Sequence, residues 1–495
     1  MRLQHFLLAM PLAFGLFACG SDGSSSPEDE GLSSAITDPS LDPGTDPGTN
    51  PGGNPIPGGD PLSSASGPVV DPTITSSAGT TPTPTPSAVS LAPTADMANA
   101  SNLYATWKAR WIMTLQDEKA GGSTLNYDLF EGPRAQELLT ATMGSFHTNP
   151  ARVVWDGGNK AQCALEGMSK WGSINLTAAL ANKLGCTVSE GIGYGMLIAY
   201  FHGDQELFNA LWAYNIVARD NNNNGLMPWE LLSFSSTVST AAALDADLDV
   251  AAALILAYRK WGDAHYLTDA VALLGSIKNK GINPENLLIR PGDTWGNKDV
   301  YNLSYFSPAT LRLFAEVDPN GGWDAILAAN YAYMMQIQAA GAVPLFPDWS
   351  NAAGAPVDPK NGSAANTYML FDKESVRIPW RIAWDYYWNQ SAESADILTK
   401  MSTFISTAHT PATLPSTSYN YSTGALSTSQ TAGEHYIGMY CLMGLGVNPT
   451  WFNACFDQFT ASVAAYKAVG YSGTYFKEIL TLMYSTLMNG GFVKI

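Results

Sequence analysis

The chain has 495 residues, and its 25 Lys and Arg against 43 Asp and Glu give a formal net charge of −18. Nucleic acids are bound through clustered Lys and Arg, so this charge balance argues against a nucleic acid partner. Aromatic residues make up 11% of the chain and charged residues only 14%. The composition therefore predicts a globular protein with a large apolar core, and it excludes a wholly disordered chain.

The N-terminus has the pattern of an export signal. Arg2 precedes an apolar run that ends in Ala18 and Cys19, which predicts a secretory signal peptide over residues 1–18. Ala18 directly before Cys19 is similar to a bacterial lipobox, so we expect Cys19 to be lipidated, with anchoring at the outer membrane and cell surface. An ordinary signal peptide with an incidental Cys19 is the alternative. No later stretch is long and apolar enough to span a bilayer.

A linker follows the predicted lipid anchor. Residues 20–95 are rich in Ser, Thr, Pro and Gly, contain nine acidic residues, and contain no Lys or Arg. Such a composition cannot form a core, so residues 19–95 are predicted to be a disordered linker. At roughly 3 Å per residue, a Pro-rich linker of this length reaches on the order of 100 Å. Residues 96–495 are then predicted to form a single folded domain.

That domain contains Cys163, Cys186, Cys441 and Cys455. Export makes disulfides possible, and the simplest pairing joins Cys163 to Cys186 and Cys441 to Cys455; free buried thiols are the alternative. The cysteine spacings match no zinc motif, and the His residues are scattered. We therefore expect no catalytic metal and no cofactor.

Helical periodicity dominates the domain, and β-alternation is scarce. Apolar residues recur at intervals of three and four over residues 102–115, 191–200, 206–218, 248–261, 266–277, 308–317, 323–337, 379–388, 395–405, 435–445, 452–469 and 473–488. About a dozen helices in one domain fit an α/α toroid, in which inner helices carry a cleft at one end. The periodicity alone equally permits an α-solenoid.

A glycine-rich segment, SEGIGYGM, surrounds Glu190. Ser189 or Thr187 is expected to cap a helix that begins near Glu190. Glycines at this density are poor helix formers unless a backbone must approach another group closely. The carboxylate of Glu190 is therefore either an ordinary first-turn acid or an acid placed for chemistry.

Alternating aspartates, Asp245, Asp247 and Asp249, stand just ahead of a strongly apolar helix. A calcium loop of the common type needs a Gly and a distal Glu at set positions, and here the chain enters a helix instead. Helix capping accounts for the presence of one of the three acids, so the other two must have a different role.

On these residues the sequence resembles glycoside hydrolase family 8. The aspartate segment supplies Asp245 and Asp247 of the family signature and departs from it at Leu244, where the family has a hydroxyl. The segment around Glu190 is similar to the family segment that carries the general acid. The resemblance implies an all-α fold, an (α/α)6 barrel or six-hairpin toroid, that hydrolyses β-1,4-linked polysaccharide with inversion.

Further matches extend over most of the domain. LMPW, ending in Trp229, resembles the family's sugar-stacking segment, and PGDTWG, with Trp295, resembles its middle loop. NLSYFSP resembles the segment whose tyrosine, here Tyr305, helps to hold the attacking water. The resemblance implies that Trp229 and Trp295 stack on sugars, although a core role is the default for any one Trp in a chain of fourteen. Tyr194 and Asp247 are the other expected substrate-binding residues.

The general base is expected in the segment FDKESVRIPWR. In many family members the base is an Asp three positions before the Arg of an Arg-x-Pro-Trp-Arg motif, and that position is Glu374 here. Asp372 is the alternative if the local alignment shifts. A surface acid paired with Lys373 or Arg377 would instead place the base elsewhere, as in some chitosanase members.

The predicted roles follow from inverting hydrolysis, which needs one protonated carboxyl and one ionised carboxylate. Glu190 is the expected general acid and Glu374 the expected base. Arg377 and Tyr305 would orient the base and its water, and Asp245 would bind the distorted sugar.

Substrate and partners are predicted as follows. β-1,4-Glucan is the expected polysaccharide, which makes the protein an endoglucanase, and xylan is the runner-up within the same family. A surface lipoprotein that binds glycans without cleaving them is the alternative from another class, favoured by Leu244 and by Glu in place of Asp at position 374. A structural solenoid is a third possibility, but it predicts a repeat that we do not find. We expect a monomer that contacts the membrane only through its lipid.

Overall fold

The computed structural model describes residues 89–120, 125–155, 186–222, 224–237, 239–295, 299–359, 362, 369–416, 419–426, 431–470 and 473–495, without the side chains of residues 236, 237 and 295. The predicted signal peptide, Cys19 and nearly all of the linker lie outside these residues. Cys163 lies outside them as well.

Helices dominate the described residues. Among those residues there are fifteen α-helices: α1 (Met97–Trp111), α2 (Leu115–Ala120), α3 (Asp128–Glu131), α4 (Pro133–Met143), α5 (Ser189–Phe201), α6 (Gln205–Asn222), α7 (Leu244–Trp261), α8 (Ala264–Gly281), α9 (Pro308–Val317), α10 (Trp323–Ala340), α11 (Ile378–Asn389), α12 (Ala392–Ala408), α13 (Glu434–Leu442), α14 (Pro449–Ala468) and α15 (Tyr475–Met488). The twelve predicted helices are confirmed as α1 and α5 to α15. The short helices α2 to α4 were not predicted.

Six of the described helices form a closed inner ring. Around it, α5 packs on α7, α7 on α9, α9 on α11, α11 on α13, α13 on α15, and α15 returns to α5. Each inner helix also packs against one outer helix: α6 on α5, α8 on α7, α10 on α9, α12 on α11, α14 on α13, and α1 on α15. Ring closure confirms the (α/α)6 barrel and excludes a solenoid, whose first and last repeats do not meet.

The sequence explains which helices lie inside. Every residue of α5 is buried, and α5 is apolar on all sides, as expected of a helix enclosed on every face. Residues 244–257 of α7 are likewise all buried. Outer helices have polar starts instead: Asp263 accepts from the His265 amide ahead of α8, and Ser391 accepts from the Ser394 amide ahead of α12.

Short antiparallel strands connect the helices at one end of the barrel. In the described residues β1 (Ile112–Thr114) pairs with β2 (Ala151–Val153), and β4 (Glu230–Leu232) lies between β3 (Thr187–Val188) and β5 (Ser236–Thr237). A third pair joins β6 (Leu370–Phe371) to β7 (Tyr419–Asn420). β3 leads directly into α5, and β6 precedes the segment that leads into α11.

Two local predictions are wrong. Neither Ser189 nor Thr187 caps α5, because Ser189 begins the helix and Thr187 donates its hydroxyl to the Val153 carbonyl at 3.1 Å. The aspartates of the second motif do not precede α7 but lie in its first two turns, because the helix begins at Leu244.

The predicted disulfide between Cys441 and Cys455 is confirmed, and it joins α13 to α14. Cys186 is also disulfide-bonded. Its expected partner, Cys163, lies outside the described residues, so that pairing stays a prediction. Among the helices of the described residues, none has the length and apolar character needed to cross a membrane.

Candidate active site

The candidate site lies where the inner helices begin. The first residues of α5, α7, α11 and α15 contact one another, so the N-termini of these inner helices lie together at one end of the barrel. Glu190 and Asp245 lie in the first turns of α5 and α7, and Tyr475 is the first residue of α15. Arg377 directly precedes α11. Helix N-termini carry partial positive charge, so this end of the barrel favours carboxylates.

Arg377 connects the acids of the site. Its Nη1 donates to Glu190 Oε2 and, at 3.2 Å, to Asp245 Oδ2, and its Nη2 donates to Glu374 Oε2. The Arg377 side chain is only 2% exposed. Since a buried charge is costly unless it is paired, the guanidinium and these carboxylates depend on one another. The ring of Tyr305 lies 5.6 Å from the guanidinium carbon, within range of a cation–π contact.

Glu190 has the properties of a general acid. Burial raises its pKa to about 7 and the negative charge of Asp245 adds to the rise, whereas Arg377 and a hydrogen bond from Tyr475 oppose it. The Tyr475 hydroxyl donates to Glu190 Oε1 at 2.9 Å. A carboxyl with this pKa is substantially protonated near neutral pH and can give its proton to a leaving oxygen.

Glycines allow these groups to come together. A Cβ on Gly191 would lie 3.2 Å from the Tyr475 hydroxyl oxygen, so the glycine leaves room for the contact between Tyr475 and Glu190. A Cβ on Gly193 would lie 3.0 Å from the carbonyl oxygen of Ala246. The glycine density that looked unfavourable for a helix therefore permits α5 to approach α7 and α15 closely.

Glu374 is held from two sides. Asn302 donates its side-chain amide to Glu374 Oε2 at 2.7 Å, and Arg377 binds the same oxygen. Burial raises the pKa of Glu374, while Arg377 and Asn302 oppose the rise because both stabilise the ionised form.

The two candidate bases have different surroundings. Glu374 is buried and forms the ion pair with Arg377. Asp372 is half-buried, and its backbone amide donates to Asp348 Oδ1 at 3.1 Å and to Ser375 Oγ at 2.9 Å. The placement favours Glu374, and the assignment of either residue as the base stays a prediction.

The predicted sugar-binding residues have different environments. Trp229 is half-buried beside the start of α5, where its carbonyl accepts from the Ser189 amide at 2.9 Å. Trp295 ends a short 3-10 helix, and its side chain lies outside the described part of the chain.

Tyr194 and Asp247 lie in the interior of the barrel. Tyr194 is fully buried and packs edge-on against Trp380. Asp247 is also fully buried, and its Oδ1 accepts from the Met227 amide at 3.1 Å. The substrate-binding expectation for both residues stays a prediction, and in the structure Asp247 supports the segment that ends in Trp229.

Sequence reasoning missed several residues of the site. Tyr475 and Asn302 each donate to one of the two acids, and Asp348 binds the backbone next to Glu374. Asn302 lay within a segment already matched to the family, so its amide beside the predicted tyrosine was an available signal. Tyr475 and Asp348 come from distant parts of the chain, and no local pattern marks them.

A second ion pair lies beneath the first. Arg381, one turn after Arg377, binds both carboxylate oxygens of Asp249, with an Nη2 to Oδ2 distance of 2.7 Å. Its guanidinium carbon stacks 4.1 Å from the Trp380 ring. This pair accounts for the third aspartate of the motif and ties α7 to α11 across the ring. No cluster of His, Cys, Asp and Glu suited to a metal ion occurs among the residues that the structure describes.

The class of the protein follows from the ring and its site: it is an (α/α)6 barrel with a buried carboxylate cluster at the N-terminal end of its inner helices. The family model described as "Glycosyl hydrolases family 8" matches residues 164–490. The chain belongs to that family.

Relatives and solved structures agree with this membership. The chain is 35% identical over 269 residues to Endoglucanase C of Ruminiclostridium cellulolyticum, covering 53% of this chain and 55% of that protein. It is 39% identical over 215 residues to Endoglucanase 2 of Ruminiclostridium josui, covering 42% and 44%. The chain thus spans about half the length of these curated relatives. A β-1,3-1,4-glucanase from Paenibacillus sp. X4 shares the fold, with a TM-score of 0.62 at 20% identity over 83% of this chain and 98% of that one.

Proposed function

We propose that the protein is an inverting glycoside hydrolase that cleaves internal β-1,4 linkages in glucan. One observation carries the proposal: Glu190 and Glu374 bind different nitrogens of the same buried guanidinium, Arg377. The two acids are thereby held apart rather than in direct contact. Glycoside hydrolysis by two carboxyl groups needs both at one site, and inversion also needs room for a water molecule between the base and the sugar.

Each residue then has a defined part in the reaction. Glu190, with its pKa raised to about 7 by burial, gives its proton to the glycosidic oxygen as the bond from that oxygen to the anomeric carbon breaks. Glu374 takes a proton from a water molecule, whose oxygen bonds to the anomeric carbon from the opposite face. Arg377 and Asn302 favour the ionised form of Glu374 that this step requires. Asp245, on the same guanidinium, would bind the distorted sugar.

Glucan is the proposed substrate because the relatives named above are endoglucanases that resemble this chain at 35% and 39% identity. Xylan remains the alternative within the family. A monomer is proposed as the active unit, since one chain supplies Glu190, Asp245, Glu374 and Arg377. Light scattering coupled to gel filtration would measure the mass.

The test is reducing-sugar release by the full-length protein from carboxymethyl cellulose, barley β-glucan, xylan and chitosan. Glu190→Gln and Glu374→Gln should each abolish activity, and Asp372→Asn, the matched control on the same segment, should retain it. NMR of the first products should show the α-anomer, and viscosity should fall early if cleavage is internal.

The other outcomes are equally informative. Loss of activity only in Asp372→Asn would move the base to Asp372. Activity on xylan alone would make xylan, rather than glucan, the substrate. A protein that binds one of these polysaccharides and cleaves none would be a glycan-binding lipoprotein, and the catalytic roles would be wrong.

We also propose that the protein is exported and anchored to the outer membrane through lipid on Cys19. The sequence pattern of residues 1–19 supports this proposal, as does the buried disulfide between Cys441 and Cys455, because disulfides persist in oxidising compartments. Cells fed radiolabelled palmitate should label the native chain and not Cys19→Ser. An unlabelled native chain recovered from the medium would show that the signal peptide is an ordinary one.

A further inference from the structure

Asp348 lies outside the motifs that carry the proposed reaction, yet it binds the segment that contains the base. Its Oδ1 accepts from the backbone amides of Asp372 at 3.1 Å, Glu374 at 3.2 Å and Ser375 at 2.9 Å. The Ser375 hydroxyl donates to the same oxygen at 2.7 Å. Asp348 is buried, with 7% exposure. A single carboxylate oxygen therefore fixes the chain on both sides of Glu374.

This contact acts as a helix cap supplied from a distance. The 3-10 helix Ser375–Arg377 has no side-chain cap from its own N-cap residue, Glu374. Its first amides would otherwise need another acceptor, and Asp348 supplies one. Arg377 ends this short helix, and α11 follows at once. The same cap therefore fixes the backbone position from which the Arg377 side chain extends.

Asp348 is itself anchored. Its backbone amide donates to the Leu370 carbonyl in β6 at 3.0 Å. Two residues later, Ser350 and Tyr301 exchange backbone hydrogen bonds of 2.7 and 3.0 Å. Tyr301 directly precedes Asn302, which donates to the carboxylate of Glu374. Residues 348–350 therefore connect the backbone support of Glu374 to its side-chain support.

From this geometry we propose that Asp348 is a positioning residue for the general base, which it holds through the backbone of residues 372–375. The inference rests on the proposed function, in which Glu374 is the base. Asp348 should act on kcat and not on the affinity for substrate, because the hydrogen bonds of its carboxylate go to residues 372–375 and not to Glu190 or Asp245.

Two variants of Asp348 distinguish the loss of its hydrogen-bond acceptor from the loss of its charge. Asp348→Ala removes the acceptor, so kcat should fall on the order of 100-fold while KM changes less than about threefold. Asp348→Asn keeps an acceptor oxygen, and its kcat should stay within about tenfold of the native value. Burial together with Asp372 and Glu374 raises the pKa of Asp348 to about 8, so a neutral carboxamide resembles its protonated form at working pH. The control is Asp385→Asn in α11, a buried acid bound to Arg312 and Tyr331; it should lower Tm and leave kcat unchanged.

The leaving group distinguishes a base defect from general disorder of the site. With a cello-oligosaccharide that releases dinitrophenolate, departure needs no proton, so Glu190→Gln should recover most of its activity. Asp348→Ala should remain about as impaired as it is on glucan, since its defect lies on the water side. Recovery of Asp348→Ala with this substrate, or a loss that appears in KM alone, would overturn the proposal.

Hydrogen exchange on the full-length protein provides a second measurement that needs no turnover. Asp348→Ala should exchange faster at the amides of residues 372–377, while α7 stays as protected as in the native chain and in Asp385→Asn. Unchanged exchange at residues 372–377 would overturn the proposal even if kcat fell. If the native protein cleaves no polysaccharide, the proposed function fails, whereas this measurement still decides whether Asp348 holds the segment.

Discussion

The two acids of the site are held in opposite ways. Glu190 lies in the first turn of α5, and the regular packing of that helix against α7 and α15 sets its position. Glu374 lies between strand β6 and a 3-10 helix. A hydrogen bond from Asn302 to its carboxylate and another from its backbone amide to Asp348 set its position. The position of the proposed acid therefore depends on the barrel, and the position of the proposed base depends on loops attached to it.

This difference matches what the two groups must do. A general acid must reach the glycosidic oxygen directly, so a rigid helix start suits it. The base of an inverting enzyme acts through a water molecule and must leave room for it, which a loop-borne side chain can adjust. Arg377 belongs to both sides, since it binds Glu190 and Glu374 together.

Removing that shared group should have the largest effect. In Arg377→Gln, the buried carboxylates of Glu190, Asp245 and Glu374 lose their cation. We expect kcat to fall by about 10³-fold. The free energy of unfolding at pH 7 should fall by about 3–5 kcal/mol, because buried acids are left unpaired.

The loss of stability in Arg377→Gln should depend on pH. Without the guanidinium, the folded-state pKa values of these acids rise further above their unfolded values, so stability is greatest at low pH and is lost as pH rises through the raised pKa values. Denaturant unfolding at pH 5 and pH 8 should therefore show a larger deficit at pH 8. An equal deficit at both would contradict the role of Arg377 as their counter-ion.

Shortening each acid by one methylene tests the comparison directly. Glu190→Asp moves the carboxyl away from the glycosidic oxygen that it must protonate, so kcat should fall about 100-fold. Glu374→Asp should cost only about tenfold, since a bridging water can absorb part of the displacement. Steady-state kinetics on the best glucan would measure both values. Losses in the reverse order would mean that the base is the more rigidly placed of the two.

The same contrast explains what the sequence could predict. Helix periodicity predicted the twelve main helices, and the motifs of the family resemblance indicated Glu190, Asp245 and Arg377, which the structure brings together. The support of Glu374 could not be predicted, since Asn302 and Asp348 reach it from 72 and 26 residues away. The motifs supplied the residue types of Tyr194 and Asp247, but they could not show that both side chains lie in the interior of the ring.

A smaller effect is expected from the packing that holds the acid. In Gly193→Ala the new Cβ would lie 3.0 Å from the Ala246 carbonyl oxygen, a backbone atom that cannot move aside freely. Overpacking of this kind costs typically about 1–3 kcal/mol, and the shift of α5 should lower kcat several-fold. Gly275→Ala is the matched control: Gly275 lies in the outer helix α8 with no atom within 4 Å of the added methyl.

Thermal unfolding and glucan turnover on the two glycine variants check this prediction. Gly275→Ala should raise stability by about 0.5–1 kcal/mol, the gain of alanine over glycine within a helix, and leave kcat unchanged. A Gly193→Ala protein with native stability and native kcat would show that the approach of α5 to α7 does not position Glu190.

The smallest effect concerns the pH at which the acid works. Because Glu190 must be protonated and its pKa is raised to about 7, kcat/KM should decline as pH rises through 7. The Tyr475 hydroxyl stabilises the ionised form, so Tyr475→Phe should raise this pKa and move the alkaline limb upward by about half to one pH unit. Tyr331→Phe, which removes an equally buried hydroxyl from the carboxylate of Asp385, should leave the limb in place. If both variants moved the alkaline limb by the same amount, its midpoint would not report the pKa of Glu190. The acid would then lack the support from neighbouring helices that distinguishes it from the base.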